Sequence, residues 1–340
     1  MNSYDRVMNR LQGKPVDRVP NFDIIMGFGA HYVGASMSQY LLDYRYMVKS
    51  NLAMVNDFGI DILQTLTDPF RESVDFGLEV EFPEDGLPKR IRPLLAPGDN
   101  LKIVPIIDPG SGKRMSDRIE AVRMLHEQAD KVVPVMGWVE GAMAEANDLV
   151  SDNVMMVTLY DHPQWLIDLM ERITEVEIAF ARIQIDAGAD IIGLGDAIAS
   201  IVSPKMYRQF ALPYEKRIFE VVHEKGALGR LHICGNTTKI LPDMLESGAD
   251  FIDVDWMVPY NKAAEIFGDK AGLVGNFDPV AIMNRGTTQV VEEAVLHCLK
   301  DGGPKSFSAA GCEIPDGTPQ ENILTHSRVL REIGGSPVIQ

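Results

Sequence analysis

From residue 190 onward the sequence alternates between short apolar runs and stretches of helical periodicity, and this alternation limits the possible folds more than any other feature. Residues 190–194 (DIIGL), 228–233, 251–254, 271–274 and 306–309 read as strands. Residues 204–225, 238–247, 260–267, 288–300 and 319–333 read as helices between and after them. Short, continuously apolar strands separated by helices are parallel strands joined by crossovers. The first half is less regular. Its candidate strands are 19–25, 60–63 and 132–139, and extended pieces at 78–82 and 89–94 around a turn at 83–88 predict a hairpin insertion. Ahead of these, Tyr4, Val7, Met8 and Leu11 share one face of a short helix that Gly13 and Pro15 stop. Three strands and five make eight βα units. That favours an α/β fold of the closed (β/α)8 TIM-barrel type with an N-terminal helical extension and a small hairpin insertion. A doubly wound sheet is the alternative. Residues 1–340 read as one domain.

Composition narrows the function. Of 340 residues 46% are hydrophobic, enough for a large core, and no apolar run is long enough to span a bilayer. The formal net charge of -17 argues against nucleic acid and against anionic membrane surfaces as partners. The N-terminus carries no apolar leader, and the three cysteines make no disulfide framework, so a cytoplasmic location is expected.

A barrel concentrates its chemistry where strands end and loops begin. Asp23, Glu140, Asp196, His232, Cys234, Asp255, Asn276 and Cys312 fall at such ends. In Leu231-His232-Ile233-Cys234-Gly235-Asn236 the alternation of an extended chain points His232 and Cys234 the same way, and Gly235 permits a sharp turn. Cys312 follows the last strand, and in a closed barrel both strand ends face the mouth. One imidazole and two thiolates with an open fourth position is a pattern of catalytic zinc, and two thiolates favour zinc over magnesium or calcium. Taken singly, each of these residues reads as ordinary core. Cys298 lies within a helix and is expected to be structural, as is Asp278, a helix N-cap followed by Pro279.

At these residues the chain resembles the uroporphyrinogen decarboxylase superfamily, and within it the corrinoid-dependent zinc methyltransferases. The resemblance covers nearly the whole chain: residues 10–20 (RLQGKPVDRVP), 231–236, 275–279 (GNFDP) and 310–315 (AGCEIP). The His-x-Cys…Cys set is its specific part. It implies a zinc barrel working with a corrinoid (cobalamin) carried by a separate small protein. A methyl group then moves from a small donor, such as a methoxylated aromatic, to cobalt, or from methylcobalt to a thiol of the coenzyme M type. Residues 137–146 (GWVEGAMAEA) resemble the O-demethylase-type members, and the methoxylated donor is the favoured expectation. Glu140 or Glu145 is expected to serve as fourth metal ligand or as proton donor to a departing alkoxide, the alternative for Glu145 being a helix-start role. Asp196 or Asp255 is expected to orient His232. Asn276 is a candidate for cofactor contact. Phe28, His31, Tyr32 and Trp256 are candidates for an aromatic substrate's pocket. Decarboxylase activity is the weaker reading, because that substrate carries eight carboxylates and residues 21–36 hold no Arg or Lys. A zinc hydrolase, a closed structural zinc site and a corrinoid-binding module without turnover are the remaining alternatives.

Overall fold

The structure, a computed structural model, describes residues 1–334. Its strands are β1 (Leu63–Gln64), β2 (Val80–Glu81), β3 (Lys89–Arg90), β4 (Val135–Glu140), β5 (Ile191–Gly195), β6 (Leu228–His232), β7 (Phe251–Asp253), β8 (Gly272–Phe277) and β9 (Ser306–Ala310). Seven are parallel, in the order β1-β4-β5-β6-β7-β8-β9, while β2 and β3 form the separate expected hairpin. Every residue of β4, β5, β7, β8 and β9 is buried, as strands covered on both faces must be.

The segment expected as the first strand closes the ring without forming a regular ladder. Its one bridge joins Asn21 to Ser308. Around it, the Phe22 amide donates to the Ser308 carbonyl (2.9 Å), the Ser308 amide to Pro20 (3.0 Å), and the Asp61 amide, just before β1, to Asn21 (2.9 Å). Pro20 has no amide to donate. The Asn21 and Asp23 amides are taken by the side chains of Asp61 and Asn21, so the ladder cannot extend. The segment is the eighth stave, held largely by side chains.

The remaining differences have similar local causes. The helix expected over 204–225 breaks into Pro204–Phe210 and Leu212–Glu224, with Pro213 in the first turn of the second. The helix expected over 238–247 contracts to Leu241–Leu245. The N-terminal helix Ser3–Leu11 buries Val7 together with Arg6 and Arg10, whereas Tyr4, Met8 and Leu11 are only half-buried. Arg6 pairs with Asp17 and Asp61, and Arg10 donates to the Ser306 carbonyl (2.9 Å), so the helix is fastened across the base of the barrel by guanidinium forks. The first half also contains long helices that the irregular pattern did not announce, chiefly Tyr44–Phe58, Lys113–Ala129 and Pro163–Asp186. Among the described residues no helix is long and apolar enough to cross a membrane.

Candidate metal centre

β6 ends at His232, and the chain stays extended long enough to deliver Cys234 on the same side before turning at Gly235, whose φ is +89°. Asp255, after β7, accepts a hydrogen bond from the Gly235 amide (2.7 Å) and holds that turn. Cys312 arrives from the loop after β9. His232 Nε2 lies 3.0 Å from Cys234 Sγ and 3.9 Å from Cys312 Sγ, and the two sulfurs are 3.4 Å apart. A tetrahedral ion with bonds of about 2.3 Å to sulfur and 2.0–2.1 Å to nitrogen spaces its donor atoms by roughly 3.5–3.8 Å. The observed separations bracket that range, and both thiols are free. The donor set therefore fits a soft divalent ion of the zinc type. Hydrogen bonding with Cys234, against the opposing effect of burial, draws the Cys312 thiol down to about 4. The same contact, together with burial, pushes Cys234 well up. The opposite shifts arise from one shared contact between the two sulfurs.

The carboxylate that orients His232 is Asp253, in place of the expected Asp196 or Asp255. His232 and Asp253 are register partners on β6 and β7, and Nδ1 lies 2.7 Å from Asp253 Oδ2. Burial would raise the Asp253 carboxyl, but Arg230 and His232 outweigh it and hold the group below its ordinary value. Asp196 meets His232 only through the backbone, its amide donating to the His232 carbonyl (3.1 Å). Both its carboxylate oxygens are buried without a partner, and burial pushes its carboxyl to about 7.

A cavity of about 160 Å³ opens onto the three donor residues, walled by Ile24, Met26, Leu66, Trp138, Glu140 and Glu313 among others. Glu140 is anchored by the Trp138 indole N–H (3.0 Å), with Arg71 3.6 Å away. Burial, only partly countered by Arg71, pushes the Glu140 carboxyl well above its ordinary range. Trp138 itself lies across β5, where Gly193 and Gly195 leave a bed for the indole: a Cβ on Gly193 would stand 2.2 Å from its ring. Burial likewise raises Glu313 to about 7, while its Oε1 accepts from the Gly27 amide (3.2 Å). No lysine or arginine lines this cavity.

Other expected site residues lie elsewhere. Glu145 is fully buried and outside the cavity lining, bonded to the Ser73 hydroxyl; it lies in the first turn of the helix Ala142–Val150, the expected alternative, without making a capping hydrogen bond. Asn276 spends its amide hydrogens on the carbonyls of Asp255 (3.1 Å) and Val258 (2.7 Å), bracing that loop, and the buried Cys298 thiol donates to its Oδ1. Phe28 is buried against Phe58 and stacked on Tyr32, whose hydroxyl donates to Asp57. Trp256 is half exposed, outside the cavity. His31 lines a neighbouring cavity of about 270 Å³ that shares Glu313 as a wall. Its Nδ1 lies 2.6 Å from Asp316 and its Nε2 2.8 Å from Asp85 on the hairpin turn. Missed by the sequence reading were Asp253, Trp138, Glu313 and the aliphatic wall. The Gly-x-Gly of β5 was a legible sign of a close-lying side chain, and Glu313 stood beside Cys312.

Comparison with known proteins places this geometry. A methylcobamide:CoM methyltransferase MtaA from Methanosarcina barkeri is 27% identical over 335 residues, 94% of either chain. A uroporphyrinogen decarboxylase from Nocardia farcinica is also 27% identical, over 304 residues, 86% of this chain and 84% of that one. Among solved structures, a methyltransferase from Methanosarcina mazei superposes with a TM-score of 0.89 at 26% identity, covering 98% of this chain and 99% of that one. The family model described as uroporphyrinogen decarboxylase (URO-D) matches residues 2–333. The chain belongs to the uroporphyrinogen decarboxylase family, in company with methyltransferases as well as decarboxylases.

Proposed function

We propose that this chain is a corrinoid-dependent methyltransferase that holds zinc with His232, Cys234 and Cys312 and moves a methyl group between the cobalt of a corrinoid protein and a small molecule. The observation that carries the reading is the meeting of three soft donors, all within 4.8 Å of one another, on the wall of a small cavity at the barrel mouth. Identity alone does not choose between the two activities found among the relatives; the cavity supports the methyltransferase reading. The segment 21–36 presents Ile24 and Met26 to it and supplies no cation, which disfavours a polycarboxylate. Zinc, when bound, supplies Lewis acidity toward the atom that carries or receives the methyl group.

The protein's own groups then have distinct tasks. Trp138 holds Glu140 at the cavity wall, and burial shifts its carboxyl toward the protonated form, the form that can deliver a proton to an oxygen losing its methyl group. A volume below that of drug-sized sites, with aliphatic walls, an indole and two carboxyls of raised pKa, suits a small uncharged ligand of one ring. This favours a methoxylated aromatic donor. The second reading, methyl transfer to a thiol, is supported by the names of the MtaA-type relatives. Purified protein should contain about one zinc per chain. It should demethylate a methoxylated aromatic with cob(I)alamin faster than it methylates coenzyme M from methylcobalamin. The reverse ratio selects the thiol reading, and turnover undiminished by zinc removal defeats both.

A further inference from the structure

The interior of a β/α barrel is ordinarily filled by layers of branched apolar side chains. Directly beneath the candidate metal centre this one holds a guanidinium. Arg230 is 1% exposed. It sits two residues before His232 on β6, on the same face. Its Nε lies 2.9 Å from Asp253 Oδ1 and its Nη2 2.9 Å from Asp253 Oδ2, the oxygen that also meets His232 Nδ1 at 2.7 Å. The fork is itself fixed from behind. Nη2 donates to the Phe22 carbonyl (3.3 Å), and the guanidinium lies over the Phe22 ring, 5.2 Å from its centre.

Buried ion pairs are poor stabilising devices, since replacing both partners by packed apolar residues is often neutral or stabilising. The pair's geometry shows what else it does. Arg230 can only donate, so Asp253 is an acceptor at both oxygens and cannot rotate out of the guanidinium plane. An acceptor at Nδ1 forces the hydrogen onto that nitrogen and leaves the Nε2 lone pair facing the two sulfurs. We propose that Arg230 is a positioning residue for the metal. Through Asp253 it fixes the tautomer and ring angle of His232, and so transmits the position of the Phe22 stave to the metal's nitrogen ligand.

This inference rests on the metal reading above, and the experiment separates the two. Zinc affinity is measured by chelator competition, unfolding by urea, and ligand geometry by the absorption bands of the cobalt(II)-substituted protein. Wild-type protein that takes up neither ion defeats the metal reading itself. Given uptake, the double variant Arg230→Met/Asp253→Leu should unfold at the wild-type urea midpoint or above it, yet bind zinc about 10–100-fold more weakly with shifted cobalt bands. Arg230→Lys, which keeps the charge without the fork, should fall between. Should the double variant fail to fold, Asp253→Asn, of nearly the same volume, should show the same weakening. Wild-type zinc affinity and unshifted cobalt bands in the folded double variant, or in Asp253→Asn, overturn the proposal.

Discussion

Substituting Gly193 by Ala tests how the proposed proton donor, Glu140, is placed. Gly193 is the register partner of Trp138 across β4 and β5, and a Cβ there would stand 2.2 and 2.4 Å from two atoms of the indole's six-membered ring. Carbon atoms in contact sit about 3.5–4.0 Å apart, so the ring must retreat by more than about 1 Å. At Gly195 an added Cβ would stand 2.9 Å from the same indole, so this glycine too leaves room for the ring. The retreat breaks the 3.0 Å bond from the indole N–H to Glu140. Overpacking of this kind costs about 1–3 kcal/mol and the lost bond about 0.5–1.5 kcal/mol, offset by up to about 1 kcal/mol from removing a strand glycine. The net expectation is a destabilisation of about 1–3 kcal/mol in urea unfolding. Displacing a proton donor by about 1 Å lowers methyl-transfer turnover about 100-fold. Zinc content should not change, since the ligands sit on β6 and beyond β9. In a Trp138→Ala background the same glycine substitution should cost almost nothing, because its collision partner is gone. A full cost in that background, or a Gly193→Ala protein within 0.5 kcal/mol and twofold of wild type, refutes the reasoning.

Three further outcomes follow from the site. Cys312→Ala should lose most bound zinc while keeping its far-ultraviolet circular dichroism, whereas Cys298→Ser, which surrenders one weak bond to Asn276, should retain metal and turnover. Glu140→Gln, which cannot release a proton, should lower demethylation of a methoxylated aromatic by about 10²–10⁴-fold with little change in zinc content. The His31 tether should respond to pH in both directions. Hydrogen bonds to Asp85 and Asp316 raise His31 above its usual 6.5, so its contribution is fully present below that value and lost as pH rises through the raised one. Asp85 is lowered by the same contact, so its contribution is lost as pH falls through its own depressed value. Hydrogen exchange over residues 83–88, corrected for intrinsic rates, should be slowest between these limits and insensitive to pH in His31→Ala.

How much of this was readable from the chain follows from where each constraint lies. The β5–β9 half was legible because each strand is a short, mostly apolar run bounded by turn residues and each crossover has helical spacing. The donor triad was legible because His-x-Cys is a two-residue period at a strand end. The first half resisted because residues 65–112 interleave a hairpin, short helices and loops whose apolar residues obey no single period. The closing stave resisted because its hydrogen bonds run through Asn21, Asp23 and Asp61 side chains. Asp253 was invisible for another reason. Choosing it over Asp255 requires the register of β6 against β7, which no local pattern encodes, and the expected Asp255 turned out to serve the Gly235 turn.

The seam formed by residues 20–24 has a temporal consequence. The Ala310 amide donates to Asp23 Oδ1 (2.8 Å) and His326 Nδ1 meets Asp23 Oδ2 at 2.7 Å, contacts spanning 287 and 303 positions. During synthesis this stave emerges 287 residues ahead of the neighbour it pairs with and waits for it. Because Cys312 lies two residues beyond that late partner, the third sulfur is delivered by the same event that completes the ring. Under the proposed metal reading, acquisition of the ion waits for that closure, and a nascent chain halted before residue 310 carries a split cylinder and two of its three donors.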